Sequence, residues 1–142
     1  MSSTTNNDSV FLIGVVGAHA GIVIGILYIA TAFLHADNDE HTVMLLCGKL
    51  CELLVQVDPK LYHKDVITSK KGVPMLYVKL NRALYGLLKA ALLFYKKFRG
   101  RIEEMGFVIN LYDPCVTNKM VNYLQMSIVW HTDKLKVSHL SK

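Results

Sequence analysis

From Val10 to Leu34 the chain carries no Asp, Glu, Lys or Arg, and no other feature constrains its fold as much. Taken as one helix, the run is long enough to cross a bilayer, and Gly17, Gly21 and Gly25 repeat at the spacing that lets helices approach closely in lipid. Three details divide it instead. No Lys or Arg precedes Lys49, so the basic flank of a signal peptide or positive-inside anchor is lacking. The far flank, Asp37-Asn38-Asp39-Glu40, is acidic. Gly21 also separates two pieces of different character. Residues 10–20 read as a small-residue helix that stops at Gly21, and residues 22–29 (IVIGILYI) as a buried, β-branched central strand. A single membrane span over residues 10–34 is the alternative reading. Residues 1–9 (MSSTTNNDS) are small and polar, and a disordered tail is expected there.

With 142 residues the chain has room for one domain, placed at residues 10–142. Hydrophobic residues at 52% against 19% charged exclude a disordered chain. Three cysteines without a Cys-x-x-Cys pair exclude a disulfide scaffold and a four-ligand zinc module. The net charge of +5 is segregated. Residues 1–59 hold Lys49 against six carboxylates, residues 60–101 are strongly basic with Asp65 as their one acid, and residues 102–142 balance. A concentrated basic middle suits a phosphate backbone, or else a solvated helix face.

Beyond the charge-free run, Asp37-Asn38-Asp39 signals a turn. Residues 43–56 (VMLLCGKLCELLVQ) fit a short amphipathic helix, or a strand followed by a helix. Asp58-Pro59 breaks that segment, and Ser69-Lys70-Lys71-Gly72 forms a hairpin-type loop before a strand at 75–80. Residues 81–105 show helical periodicity, with Leu84, Leu88, Ala91, Tyr95, Phe98 and Ile102 on one face and Arg82, Lys89 and Lys96 opposite. Gly106 ends this helix. Short strands follow at 107–110, 115–118, 124–131 and 135–139, the last two turning at Thr132-Asp133-Lys134-Leu135.

Four segments in this order carry a resemblance: YIATAFLHAD (28–37), LYVKLNRALYGLLKAALLFYKKF (76–98), Tyr112-Asp113-Pro114-Cys115, and WHTDKLKVSH (130–139). Together they resemble the reverse transcriptase domain of copia-type retrotransposons over nearly the whole chain. The resemblance implies an α+β fold: a fragment of a polymerase palm, mostly antiparallel sheet with helices packed on one face, lacking most of the fingers and everything past the catalytic hairpin. It implies RNA-directed DNA synthesis on an RNA or DNA template-primer, with deoxynucleoside triphosphates and Mg²⁺ or Mn²⁺, in the cytoplasm or nucleus.

Such chemistry uses two divalent ions about 3.5–4 Å apart, and hard ions want carboxylate oxygen. The family places one Asp at the end of the central strand and two at the tip of the hairpin. Here those positions are Tyr28, Asp133 and Lys134. A phenol is protonated near neutral pH. A lysine is worse, because two unit charges 4 Å apart repel by about 4 kcal/mol at an effective dielectric of 20. Asp133 is the sole retained metal-type carboxylate, since Asp37, Asp39 and Glu40 follow the strand instead of ending it beside Asp133. The expectation is a truncated, catalytically inactive domain.

The resemblance further implies nucleotide-side roles for Phe33, Gly86 and Lys89. Phe33 matches a bulky residue that screens against a ribose 2′-hydroxyl, with a core aromatic as the simpler alternative. Arg82, Lys96 and Lys97 are candidates for phosphate contacts, and a non-catalytic nucleic-acid-binding remnant is the second functional reading. Cys47 and Cys51, four apart, could share a metal on a helix with His41 as a third ligand. His35, His131 and His139 read as structural or surface residues.

Overall fold

The computed structural model describes residues 5–139. The chain is α+β, and every strand pair among the described residues is antiparallel. The chain divides into two compact units. The larger takes the described residues up to Asp37 and those from Arg82 onward; the smaller is Asn38–Asn81.

In the larger unit, helix α1 (Asn7–His19) is followed by strand β1 (Val23–Tyr28). The charge-free run is thus broken at Gly21, which holds φ +62°, a left-handed backbone that favours glycine. No helix among the described residues is long and apolar enough to cross a membrane. The helix begins before the expected boundary. Asn6 caps it by accepting the Asp8 N–H, so residues 7–9 of the expected disordered tail are helical; residues 1–4 lie outside the described residues.

β1 is neither central nor buried. It is the edge of a five-stranded sheet in the order β1-β8-β7-β6-β5, with β5 at Val108–Ile109, β6 at Val116–Val121, β7 at Leu124–His131 and β8 at Lys134–His139. A run of Ile, Val and Leu signals extended backbone, but an edge strand satisfies the same preference with its side chains exposed. β6 and β7 are joined by Asn122 and Tyr123, both at positive φ, and β7 and β8 by the two-residue turn Thr132-Asp133.

Helix α4 (Ala90–Glu104) starts later than its periodicity predicts. Gly86 sits at φ +98°, outside helical space, and Leu88 is fully exposed, so the apolar spacing at Leu84 and Leu88 is not a helix face. From Ala90 onward the expected face packs as read. Phe98 meets Trp130 edge-on at 5.3 Å, and Tyr95, Ile102, Ile128, Leu135 and Cys115 close one core cluster. A second cluster gathers Phe33, Ala32, Ala36, Ala83, Ala90 and Phe94, and Phe98 and Ile29 touch both. Lys119 Nζ donates to the Met105 carbonyl at 2.7 Å just beyond the helix, where cations are favoured.

The expectation of helices on one face is corrected by α1. Leu135 and Val137 point towards α4, whereas Lys136, Ile24 and Ser138 point to the other side, where α1 lies. Two small residues face the sheet from α1: a Cβ at Gly17 would stand 3.2 Å from Ile24 Cδ1, and one at Gly14 would stand 3.4 Å from Lys136 Nζ. A cavity of about 580 Å³ separates the aliphatic side chains of Leu12, Ile13 and Val16 from Asn118, Gln125 and Ser127 below. The start of α1 is tied down by Asp113, whose carboxylate accepts from Thr5 Oγ1 (3.0 Å), the Asn6 N–H (3.0 Å) and the Cys115 N–H (2.9 Å).

The smaller unit forms a three-stranded sheet in the order β2-β4-β3, with β2 at Val43–Cys47, β3 at Ile67–Thr68 and β4 at Pro74–Lys79. Helices α2 (Lys49–Val57) and α3 (Pro59–Tyr62) lie between β2 and β3. Of the two readings for residues 43–56, strand followed by helix is correct. Asp58 ends α2 and caps α3 by accepting the Leu61 N–H, and the Ser69–Gly72 loop turns the chain into β4 as expected.

Two outcomes test this account. Trp130 is buried, and its indole Nε1 has no hydrogen-bond partner among the described residues. Trp130→Ala is expected to cost about 3–5 kcal/mol in urea unfolding, and Trp130→Phe, which removes the orphaned donor and keeps most of the ring, less than about 1.5 kcal/mol. Burial pushes the Asp113 carboxyl up, but hydrogen bonds from Ser9, Cys115, Asn6 and Thr5 outweigh it and hold the group below its ordinary value of 3.8. A lowered carboxylate pKa stabilises the fold above the unfolded value and stops doing so as pH falls through the folded one. Asp113→Asn is therefore expected to cost about 1–3 kcal/mol at neutral pH. It should also flatten the loss of stability below the ordinary carboxylate pKa, read from urea midpoints across a pH series.

Candidate functional site

The β1–β8 register positions the site. Ile29 N–H donates to the Asp133 carbonyl at 2.8 Å, which sets Tyr28 directly opposite Lys134. That pair lies between hydrogen-bonded pairs, the geometry in which Cα atoms approach to roughly 4.5 Å. Tyr28, Asp133 and Lys134, drawn from distant parts of the sequence, thus meet at one hairpin tip.

Tyr85 joins them. Its ring lies 4.2 Å from that of Phe33. Partial burial, the Asp133 carboxylate and the Tyr28 phenol together push its own phenol above the ordinary value of 10.0. Tyr85 was not singled out in the sequence, although it is the centre of the Leu84-Tyr85-Gly86 tripeptide. The positive φ required of Gly86 is the local signal that turns the chain here and presents Tyr85. Phe33 itself is buried against Phe94, with ring centroids 6.1 Å apart, so its packing is that of a core aromatic. Gly86 lies in the same loop, with open space where a Cβ would stand.

The cationic residues do not form the expected helical stripe. Lys89 is the residue at which α4 begins, and Arg82 lies before the helix, bridged to Asp37. Asp37 accepts from both Arg82 and Lys97, the latter at 3.1 Å. The Lys97 hydrogen bond and the nearby guanidinium hold the Asp37 carboxyl below its ordinary value against the opposing effect of desolvation. Two of the three residues expected to contact phosphate are thus engaged with a carboxylate, while Lys96 is exposed on α4.

The donor set at the hairpin tip does not fit Mg²⁺ or Mn²⁺. It offers one carboxylate, Asp133, with a neutral phenol and an ammonium opposite each other beside it. Among the described residues no group of three or more His, Cys, Asp or Glu side chains is placed to hold a metal ion. Cys47 and Cys51 are not a helical pair: Cys47 is on β2 and Cys51 is buried in α2. His35 Nε2 contacts the Ala30 carbonyl at 3.2 Å, and His131 and His139 end β7 and β8.

No family model, curated protein or solved structure matches this chain.

If the register is what assembles this site, carboxylates placed on it should converge. The double variant Tyr28→Asp with Lys134→Asp is expected to acquire a Mn²⁺ site detectable by electron paramagnetic resonance at millimolar metal or below, whereas the parent chain binds none there. Adding Asp133→Ala to the double variant should remove it.

Proposed function

We propose that this chain is a reverse-transcriptase-like palm of the copia type whose nucleotidyl-transfer centre has been lost. The observation that carries this reading is the meeting of Tyr28, Asp133 and Lys134 at one hairpin tip, in the chain order that the four motifs imply. The antiparallel α+β architecture and the Tyr85-Gly86 turn beside that tip are consistent with it.

Phosphoryl transfer from a nucleoside triphosphate needs the developing charge neutralised and the attacking hydroxyl activated. Neither Tyr28 nor Lys134 supplies an anionic oxygen, and the Lys134 ammonium opposes a cation at the place where one is required. Asp133 alone provides neither the charge nor the coordination for a metal pair.

Purified chain on a poly(A)–oligo(dT) template-primer, with thymidine triphosphate and either Mg²⁺ or Mn²⁺, is expected to add no nucleotide. Extension that Asp133→Ala abolishes would overturn the proposal.

A further inference from the structure

We propose that β1 is the seam of a two-fold homodimer in which the five-stranded sheets of two copies join edge to edge. Among the described residues β1 has one ladder neighbour, β8. An edge strand offers unpaired N–H and C=O groups to any extended chain that can approach. Folds blunt such edges with lysines, prolines or bulges, and the sequence VIGILY has none of these. Ile26 is 80% exposed, Tyr28 63%, Val23 60% and Leu27 55%.

The hydrogen-bond alternation fixes the register that a second copy would take. Ile29 N–H points inward to Asp133, so by the two-residue repeat of an antiparallel ladder Leu27, Gly25 and Val23 also turn their backbone groups towards β8. Ile24, Ile26 and Tyr28 turn theirs outward. A second copy placed antiparallel, with Ile26 opposite Ile26 on the two-fold axis, sets Ile24 opposite Tyr28 on either side. Every outward group then has a partner. Centring the axis on Gly25 would instead oppose Tyr28 to Ile22, whose N–H is already donated to the Gly17 carbonyl at 2.9 Å. The Ile26-centred register wastes no group.

Electrostatics permit the self-pair despite the chain's net charge of +5. The seam falls within the uncharged run of residues 10–34, so no charges oppose each other on it. Among the described residues the cation opposite Ile26 on β8 is Lys136. Across the joined sheet the two Lys136 residues would stand three strand spacings apart, about 14 Å, beyond the roughly 8 Å screening length at physiological salt. The axis, perpendicular to the sheet, sets α1 of both copies on the same face, where Phe11 and Val15 are exposed.

Light scattering on the eluting chain, from micromolar to sub-millimolar concentration, should give twice the 16.0 kDa of the monomer. Ile26→Lys, which sets two ammonium groups on the axis, should return it to the monomer mass. In a Cys47→Ser background, Ile26→Cys should oxidise to a covalent dimer, because hydrogen-bonded pairs hold Cα atoms about 5.5 Å apart, within disulfide reach. Val23→Cys, which the register sets far from its own copy, should not. A monomer mass throughout, a dimer indifferent to Ile26→Lys, or cross-linking through Val23→Cys as readily as through Ile26→Cys would overturn the proposal. Should Ile26→Lys fail to fold, the two cysteine variants decide.

Discussion

The register of β1 against β8 is the constraint on which the rest of the larger unit depends. One backbone hydrogen bond, Ile29 to Asp133, marks it, and the side-chain period of two propagates it along both strands. A slip of β8 by one residue would turn Leu135 and Val137 away from α4 and bring Lys134 and Lys136 into the core. The burial of Leu135 against Trp130 and Ile102 therefore fixes β8, the strand on which β1 is aligned. The same alignment decides what stands at the hairpin tip, so core packing and site composition are two readings of one alignment.

α4 connects that alignment to the rest of the unit. Phe98 and Ile29 belong to both core clusters, so the helix is held at once by the β7–β8 hairpin and by the segment around Phe33. Its basic residues are partly committed by the same geometry. Asp37 draws in Arg82 and Lys97, and Glu103 and Glu104 draw in Arg99 and Arg101. A sequence balance of strongly basic residues thus becomes a surface where much of the charge is locally answered. Exposed pairs of this kind stabilise little, but they change what charge remains for an anionic partner.

How much of this was legible depended on which physical force set each feature. The break at Gly21, the Asp58-Pro59 stop, the Ser69–Gly72 loop and the four C-terminal strands were read correctly, because backbone sterics and local hydrogen bonding determine them. The start of α4 was not. Leu84 and Leu88 keep helical spacing by coincidence, and the positive φ of Gly86 overrides it. Residues 22–29 read as a buried central strand although β1 is an edge, because β-branched composition reports extended backbone and says nothing about how many neighbours the strand has. The tie of α1 to Asp113 and the clasp of Asp37 by Arg82 and Lys97 are long-range pairings that no local pattern encodes. Motif order alone aligns Tyr28, Asp133 and Lys134, whereas the surroundings of Tyr85 exist only after folding.

The bridge between Asp37 and Arg82 makes the smaller unit an insertion. On one side of the chain crossings Asp37 pairs with Arg82, and on the other the Asn38 N–H meets the Asn81 carbonyl at 3.0 Å. Each unit therefore closes its own ends. Loop-closure entropy grows only slowly with the length of the intervening chain, by roughly 0.6 kcal/mol per doubling. Residues 38–81 could accordingly be lengthened, exchanged or cut down to a turn with little effect on the sheet that begins at β1 and ends at β8. Change in this protein is cheap at that one junction, and the two halves of the larger unit remain continuous through it.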